Sequence, residues 1–169
     1  LSILTSVIIM AQYDNINKGE SLTYRIHYGV LTAGHATLST ANGTYNGKPH
    51  FYVKGVGKTS GAVRAFFKVD DIYESYINDK GQPVYYVRNV SEGSYRQHLH
   101  STFNHARNTV YLVDKKNTDH EPKTISTVKG VQDMLSSFYY LRNLSAEELK
   151  LGSVIKLNVW IDDEMFPFQ

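Results

Sequence analysis

Short runs in which apolar and polar residues alternate dominate the chain, and this is the pattern of a β-strand with one buried face. Between Gly19 and Ala41, two such runs are separated by Gly29 and a small-residue connection, which predicts a β-hairpin. The Asn46-Gly47 pair predicts the next turn. Further strands are predicted at residues 50–56, 66–77, 85–90, 95–104, 109–113, 123–128 and 154–161.

A helical period appears later in the chain. Five apolar residues recur at spacings of three and four and predict one amphipathic helix over residues 131–142: Val131, Met134, Leu135, Phe138 and Leu141. Ser145 and Glu148 have capping-box spacing and predict a second, shorter helix that stops near Gly152. The glycine-rich residues 57–61 predict a loop.

The order of these elements predicts the fold class. Because most connections are short, neighbouring strands are expected to be antiparallel. The 13 Tyr and 7 Phe residues suit a pleated sheet. We therefore expect a mainly β protein, an antiparallel sheet curled into an open or incomplete β-barrel, with one or two short helices packed against it. Residues 12–169 are expected to form a single domain that lacks its C-terminal strands.

The first eleven residues differ from the rest because they are uncharged and mostly apolar. They match the length of a signal-peptide core, and Ala11 offers a small residue for cleavage. We interpret residues 1–11 as the remnant of a secretion signal, with a buried first strand as the alternative. The mature chain is then expected to be exported to the periplasm or cell envelope of a Gram-negative bacterium, with no transmembrane span.

Composition excludes several classes of function. The chain has no cysteine, which excludes disulfides, thiol catalysis and lipid-modified cysteine anchors. Its net charge of +2 gives no nucleic-acid footprint. No nucleic-acid partner is predicted.

Two segments resemble a known family. Tyr28-Gly29, followed by Ala33-Gly34-His35-Ala36-Thr37-Leu38, is similar to the opening motif of the bacterial exported family called domain of unknown function 3108. A second motif is similar to that family's helical segment and consists of Asp133, Leu135, Ser136, Tyr139 and Arg142. The resemblance implies an exported envelope protein that usually continues for several more strands, with no established activity.

Two groups of residues are candidates for nucleotide and metal binding. Gly57-Lys58-Thr59 ends like a phosphate-binding loop, but Tyr52 stands where that motif needs its first glycine. His98 and His100 share one face of a strand. Leu99, between them, belongs to the opposite, apolar face, so the histidines are expected on the solvent side. No metal site and no cofactor are therefore predicted.

The carboxylate runs at residues 70–71 and 162–164 place neighbouring side chains on opposite faces, so neither is a catalytic pair. No catalytic residue is predicted, and a hydrolase is the least favoured function.

An apolar cavity is the remaining candidate site. Aromatic residues on the inner parity of a curled sheet, together with one helix residue, are predicted to line it: Tyr24, Tyr28, Phe51, Phe67, Tyr73 and Phe138. The alternative is an ordinary packed core. The leading hypothesis is non-enzymatic binding of an apolar or lipid-like small molecule, and the second is an interaction module that docks another envelope protein.

Overall fold

A computed structural model describes residues 18–169, so the predicted signal segment at residues 1–11 lies outside the described part of the chain. The strands of that part are β1 Ser21–Tyr28, β2 Leu31–Tyr45, β3 Lys48–Thr59, β4 Asp70–Ile77, β5 Pro83–Glu92, β6 Tyr95–Asn104, β7 Thr109–Asp114, β8 Lys123–Ser126, β9 Gln132–Asp133, β10 Leu157–Ile161 and β11 Glu164–Phe168. The helices are α1 Gly61–Phe66 and α2 Met134–Arg142.

Strands β1 to β8 form one antiparallel meander in which each strand pairs with the next along the chain. The first and last strands of the meander do not pair with each other, so the sheet stays open. The remaining strands form a small sheet in the order β11-β10-β9, with β9 parallel to β10. The predicted fold class is confirmed: the protein is mainly β, with an open antiparallel sheet and two short helices.

The large sheet has one face packed against α2 and the small sheet, which we call the covered face. A row of paired residues runs across its centre, and every member is buried: Val53, Ser75, Tyr86, Ser101 and Leu112. Leu135 and Tyr139 of α2 and Trp160 of β10 complete this core. The opposite face, which carries the alternate residues of the same strands, we call the open face.

The tight turns follow the sequence signals. Asn46 and Gly47 both have positive φ, 49° and 72°, and join β2 to β3 as the Asn-Gly pair predicts. Gly29, with φ 56°, lies in the turn between β1 and β2. These left-handed conformations favour Gly because it has no Cβ, and Asn because its short polar side chain can form local hydrogen bonds.

The segment after β3 differs from the prediction. Residues 57–59 continue β3 instead of forming a loop, since Gly57 pairs with Ala36 on one side and Asp71 on the other. The predicted strand at residues 66–77 is wrong in its first part, because the chain forms α1 and enters β4 only at Asp70. Arg64 explains the bend: its guanidinium donates to both carboxylate oxygens of Asp70 at 3.0 and 2.9 Å.

Helix α2 also differs in detail. It begins at Met134, three residues later than the first apolar residue of the predicted stripe, because residues 132–133 pair with β10. Leu141 was predicted to be in the stripe but is 39% exposed, whereas Tyr139 is fully buried. Ser145 and Glu148 form the reciprocal hydrogen bonds of a capping box, yet only turns follow them. The second predicted helix is therefore wrong.

Candidate functional site

The residues predicted to line a cavity are dispersed over the covered face and its margins. Phe51 and Tyr73 are partly buried in contact with the core, and Phe138 packs against the same core from α2. The Phe51 ring meets the Tyr139 ring edge-on, with centroids 5.5 Å apart. These side chains fill the space between the sheet and α2.

The other predicted residues lie further out. Tyr24 is 43% exposed on β1, the edge strand of the sheet. Phe67 is 52% exposed and follows α1 directly. The backbone of Tyr28 ends β1, but its side chain is outside the described part of the structure. The structure does not bring these six residues into one cavity, and ligand binding by them stays a prediction.

A groove lies instead on the open face, with a volume of about 410 Å³. Three neighbouring rows of paired residues build it. The first row is Tyr52, Tyr76 and Tyr85, the second is Lys54, Glu74, Val87 and His100, and the third is Ile72, Asn89 and His98. Of these residues, all but Tyr52 line the groove. Ile72 and Val87 give it an apolar floor, and aromatic and polar side chains surround that floor.

Four tyrosines, which we call the tyrosine cluster, pack against one another at one end of the groove: Tyr45, Tyr52, Tyr76 and Tyr85. Two of them, Tyr76 and Tyr85, line the groove. The rings of Tyr45 and Tyr85 are stacked with centroids 4.6 Å apart, and those of Tyr52 and Tyr76 are 5.0 Å apart. Burial raises the pKa of Tyr85 above its ordinary value. Its hydroxyl therefore keeps its proton near neutral pH and can act as a hydrogen-bond donor.

Gly43 makes room for this cluster. A Cβ at this position would lie 2.8 Å from the Cβ of Tyr52 and 3.0 Å from the Cε1 of Tyr76. Such distances are shorter than real carbon contacts, so any larger residue would displace the rings. The glycine on β2 thus belongs to the construction of the site.

One side of the groove holds a compensated pair of charges. The hydroxyl of Tyr52 donates to Oε1 of Glu74, and the Nζ of Lys54 lies 3.9 Å from the same oxygen. Burial, with the Glu74 carboxylate as the next cause, raises the pKa of Tyr52 well above its ordinary value. Because Tyr52 and Lys54 both come from β3, the carboxylate of Glu74 is engaged on the β3 side of the groove.

The other side holds two histidines. The Nε2 atoms of His98 and His100 are 2.9 Å apart, and the Nδ1 atom of His100 shares a hydrogen bond with the Tyr85 hydroxyl. Burial, followed by the charges of His98 and Lys115, lowers the pKa of His100 to about 4. His100 is therefore neutral at pH 7, which is the state that an Nε2 to Nε2 hydrogen bond requires of at least one ring.

This arrangement is suited to holding a small molecule with both apolar and polar parts. Binding sites typically combine an apolar, aromatic lining with a few convergent polar groups. The placement of the histidines on the solvent-facing side of β6 is as predicted, although both are partly buried. This site was not predicted from the sequence. A signal for it was present, because Tyr52, Tyr76 and Tyr85 occupy the open-face positions of β3, β4 and β5.

The described part of the chain has neither a group of metal ligands nor a helix that could span a membrane. Within residues 18–169, no three His, Asp or Glu side chains are grouped so that they could hold a metal ion. Of the helices in that range, neither has the length and apolar character needed to cross a bilayer.

The comparisons with known proteins give one finding. Residues 23–169 match the family described as Protein of unknown function (DUF3108). No curated protein and no solved structure shows significant similarity to the chain.

Proposed function

The chain belongs to the protein family of unknown function DUF3108, and from its geometry we propose that it is a non-enzymatic binding protein of the cell envelope. Its ligand is a small lipid-like molecule with an apolar body and a polar head. The observation that carries this proposal is the groove of about 410 Å³ on the open face. That volume is in the range of small-molecule sites, about 300 to 1,000 Å³.

The lining has an apolar part and a polar part, which match the body and the head of the proposed ligand. Ile72 and Val87 form a floor that contacts the apolar body, and the rings of Tyr76 and Tyr85 add flat walls. Lys54, Glu74, Asn89 and the two histidines supply hydrogen bonds for the head. Glu74 is engaged by Tyr52 and Lys54, so it serves as a fixed charge and not as a free general base.

The cellular part of the proposal has separate support. The uncharged apolar run at residues 1–11 has the length of a signal-peptide core. Mass-spectrometric mapping of the native N-terminus tests it. A mature chain that begins near Gln12 supports export, and one that retains residues 1–10 contradicts it.

Displacement of a dansylated fatty acid tests ligand binding. The wild-type chain is expected to bind the probe saturably. Asn89→Trp places a large ring in the groove from an exposed position and should weaken binding about tenfold or more, a loss of about 1.4 kcal/mol. The matched control is Thr124→Trp, also at an exposed strand position but on β8, and it should bind like the wild type.

A second set of three variants locates the ligand. If the groove is the site, Tyr85→Ala weakens binding, while Tyr24→Ala and Phe67→Ala do not. If Tyr24→Ala and Phe67→Ala weaken binding and Tyr85→Ala does not, the ligand binds at the aromatic residues that the sequence pattern predicts. Absence of saturable binding in the wild type overturns the proposal.

A second function is favoured by apolar side chains at the α1 end of the sheet. Phe66 is 91% exposed, Val30 is fully exposed, and Leu31 is half exposed. Ser60, which precedes α1, donates its backbone N–H to the carbonyl of Ala33 on β2 at 3.0 Å, which joins α1 to the start of that strand. Such a surface suits docking to another envelope protein. Phe66→Asp should abolish that docking and leave probe binding unchanged.

A further inference from the structure

The polar groups of the groove form two separate networks. On the β3 side, Lys54 and Tyr52 hold the carboxylate of Glu74. On the β6 side, Tyr85, His100 and His98 form a continuous hydrogen-bonded chain. The chemistry of the second network determines which head group the groove accepts.

The ammonium group of Lys115 acts electrostatically on His100. Lys115 directly follows β7, and its backbone N–H donates to the carbonyl of His98 at 2.7 Å, which fixes it beside β6. Its ammonium group helps to lower the pKa of His100. Glu74 acts on His100 in the opposite direction but is engaged by Tyr52 and Lys54. Tyr85 on β5 faces His100 as a neutral hydroxyl. An added anion on this side therefore lies beside two imidazoles and is attracted by the Lys115 ammonium group.

The histidine chain can take up one proton without breaking. In the neutral chain, the Tyr85 hydroxyl donates to Nδ1 of His100, and a single proton lies between the two Nε2 atoms. When a proton from solvent adds to Nδ1 of His100, this nitrogen becomes a donor and the Tyr85 oxygen becomes its acceptor. The Tyr85 O–H is then available to a ligand. A second added proton would place two donors between the Nε2 atoms and break their bond.

We propose that the ligand of this groove carries an anionic head group, and that the head group binds beside His98 and His100 together with one proton. This inference rests on the proposed binding function and names its ligand class. The anion offsets the loss of hydration that burial imposes on a charged His100, and the repulsion by His98 and Lys115. Affinity therefore rises as pH falls.

The direction of the pH dependence follows from the linkage between proton binding and ligand binding. Without ligand, His100 stays neutral down to about pH 4, as its pKa of about 4 dictates. With an anion bound, the pKa returns toward the ordinary value of 6.5. Between these two values the complex holds one more proton than the free protein, so Kd decreases by up to about tenfold for each unit of pH lowered. Above the pKa of the complex, Kd is independent of pH.

Three ligands with the same octyl chain test this inference by isothermal titration calorimetry. Octanesulfonate is anionic at all pH values used, octanol is uncharged, and octyltrimethylammonium is cationic. At pH 5 the wild-type chain should bind octanesulfonate about tenfold or more tightly than at pH 7.5. Octanol should bind equally at both pH values. Titration at pH 5.5 in buffers of different ionisation enthalpy should show uptake of about one proton with the sulfonate alone.

His100→Gln removes the titrating group and should remove the pH dependence, while His35→Gln, at an exposed site on β2, should retain it. Should His100→Gln fail to fold, imidazole nitrogen NMR shifts of the wild type report protonation of His100 on addition of octanesulfonate. Equal, pH-independent binding of all three ligands overturns this inference and leaves the proposed function standing. Tightest binding of the cation also overturns it. If none of the three binds, the proposed function fails as well.

Discussion

The motif that resembles the family's helical segment, from Asp133 to Arg142, holds α2 in place. The Asp133 carboxylate accepts hydrogen bonds from the backbone N–H groups of Leu135 and Ser136 at 2.8 and 2.7 Å, and the Asp133 backbone N–H donates to Oγ of Ser136 at 2.8 Å. Tyr139 is fully buried. Arg142 pairs with Glu20 at 2.5 and 2.9 Å and so ties the end of α2 to the residue before β1. The motif therefore identifies how α2 is held and does not mark the groove.

Asp133 predicts an unusual dependence of stability on pH. The carboxylate is fully buried, and burial raises its pKa from 3.8 to about 6 despite hydrogen bonds from Ser136, Ser75 and Leu135. The folded chain thus binds this proton more tightly than the unfolded chain. The resulting stabilisation is fully present below about pH 4 and is lost as pH rises through about 6. It amounts to about 3 kcal/mol.

Asp133→Asn isolates this contribution. The amide retains an oxygen for the two N–H groups of α2 and does not titrate. The free energy of unfolding of the wild type, minus that of the variant, should fall by about 2 kcal/mol between pH 4 and pH 6.5 in urea titrations. A difference that is constant over this range would show that Asp133 titrates normally.

Alternation in the sequence assigned residues to faces but could not show which face is covered. Tyr73 and Tyr76 on β4 lie on opposite faces, and both are aromatic. Because aromatic side chains occupy both parities, their number alone does not distinguish a packed core from a ligand groove. The covering elements, α2 and the small sheet, decide this, and they come from distant parts of the chain.

At the scale of elements, turn chemistry was more predictive than hydrophobic period. The Asn46-Gly47 turn is confirmed, since its positive φ values suit those residues. The strand predicted at residues 66–77 is wrong in its first part, because the Arg64 to Asp70 ion pair closes α1 against β4. Side-chain contacts of this kind leave no periodic signal.

Helix α2 gives a matched test of the covered face. Leu135 is 5% exposed and contacts the core, whereas Leu141 on the same helix is 39% exposed. Leu135→Ala should cost about 2 to 5 kcal/mol of unfolding free energy, because it leaves a cavity beneath Gly55 and Leu38. Leu141→Ala should cost less than about 1 kcal/mol. Equal losses, measured by urea denaturation, would contradict the structure, in which α2 turns Leu135 toward the core and Leu141 toward solvent.

At the scale of the whole molecule, the small sheet is fastened to the large one by Trp160. This residue is fully buried on β10, and its indole N–H donates to Oγ of Ser101 on β6 at 3.0 Å. Arg88 on β5 adds an ion pair to Asp162, with Nε and Oδ1 2.9 Å apart. Because Trp160 belongs to the same core as residues of the large sheet, we expect the two sheets to unfold as a single cooperative unit.

Trp160 is the single tryptophan of the sequence, so its fluorescence reports the docking of the small sheet. Far-UV circular dichroism reports mainly on the eight-stranded sheet, which contains most of the strand residues. If one core joins both sheets, the two signals should give the same urea midpoint and the same slope. Ser101→Ala removes the acceptor of the indole N–H, so it should lower both midpoints together and reduce the free energy of unfolding by about 1 to 3 kcal/mol. A fluorescence transition at lower urea than the dichroism transition would mean that the small sheet undocks while the eight-stranded sheet stays folded.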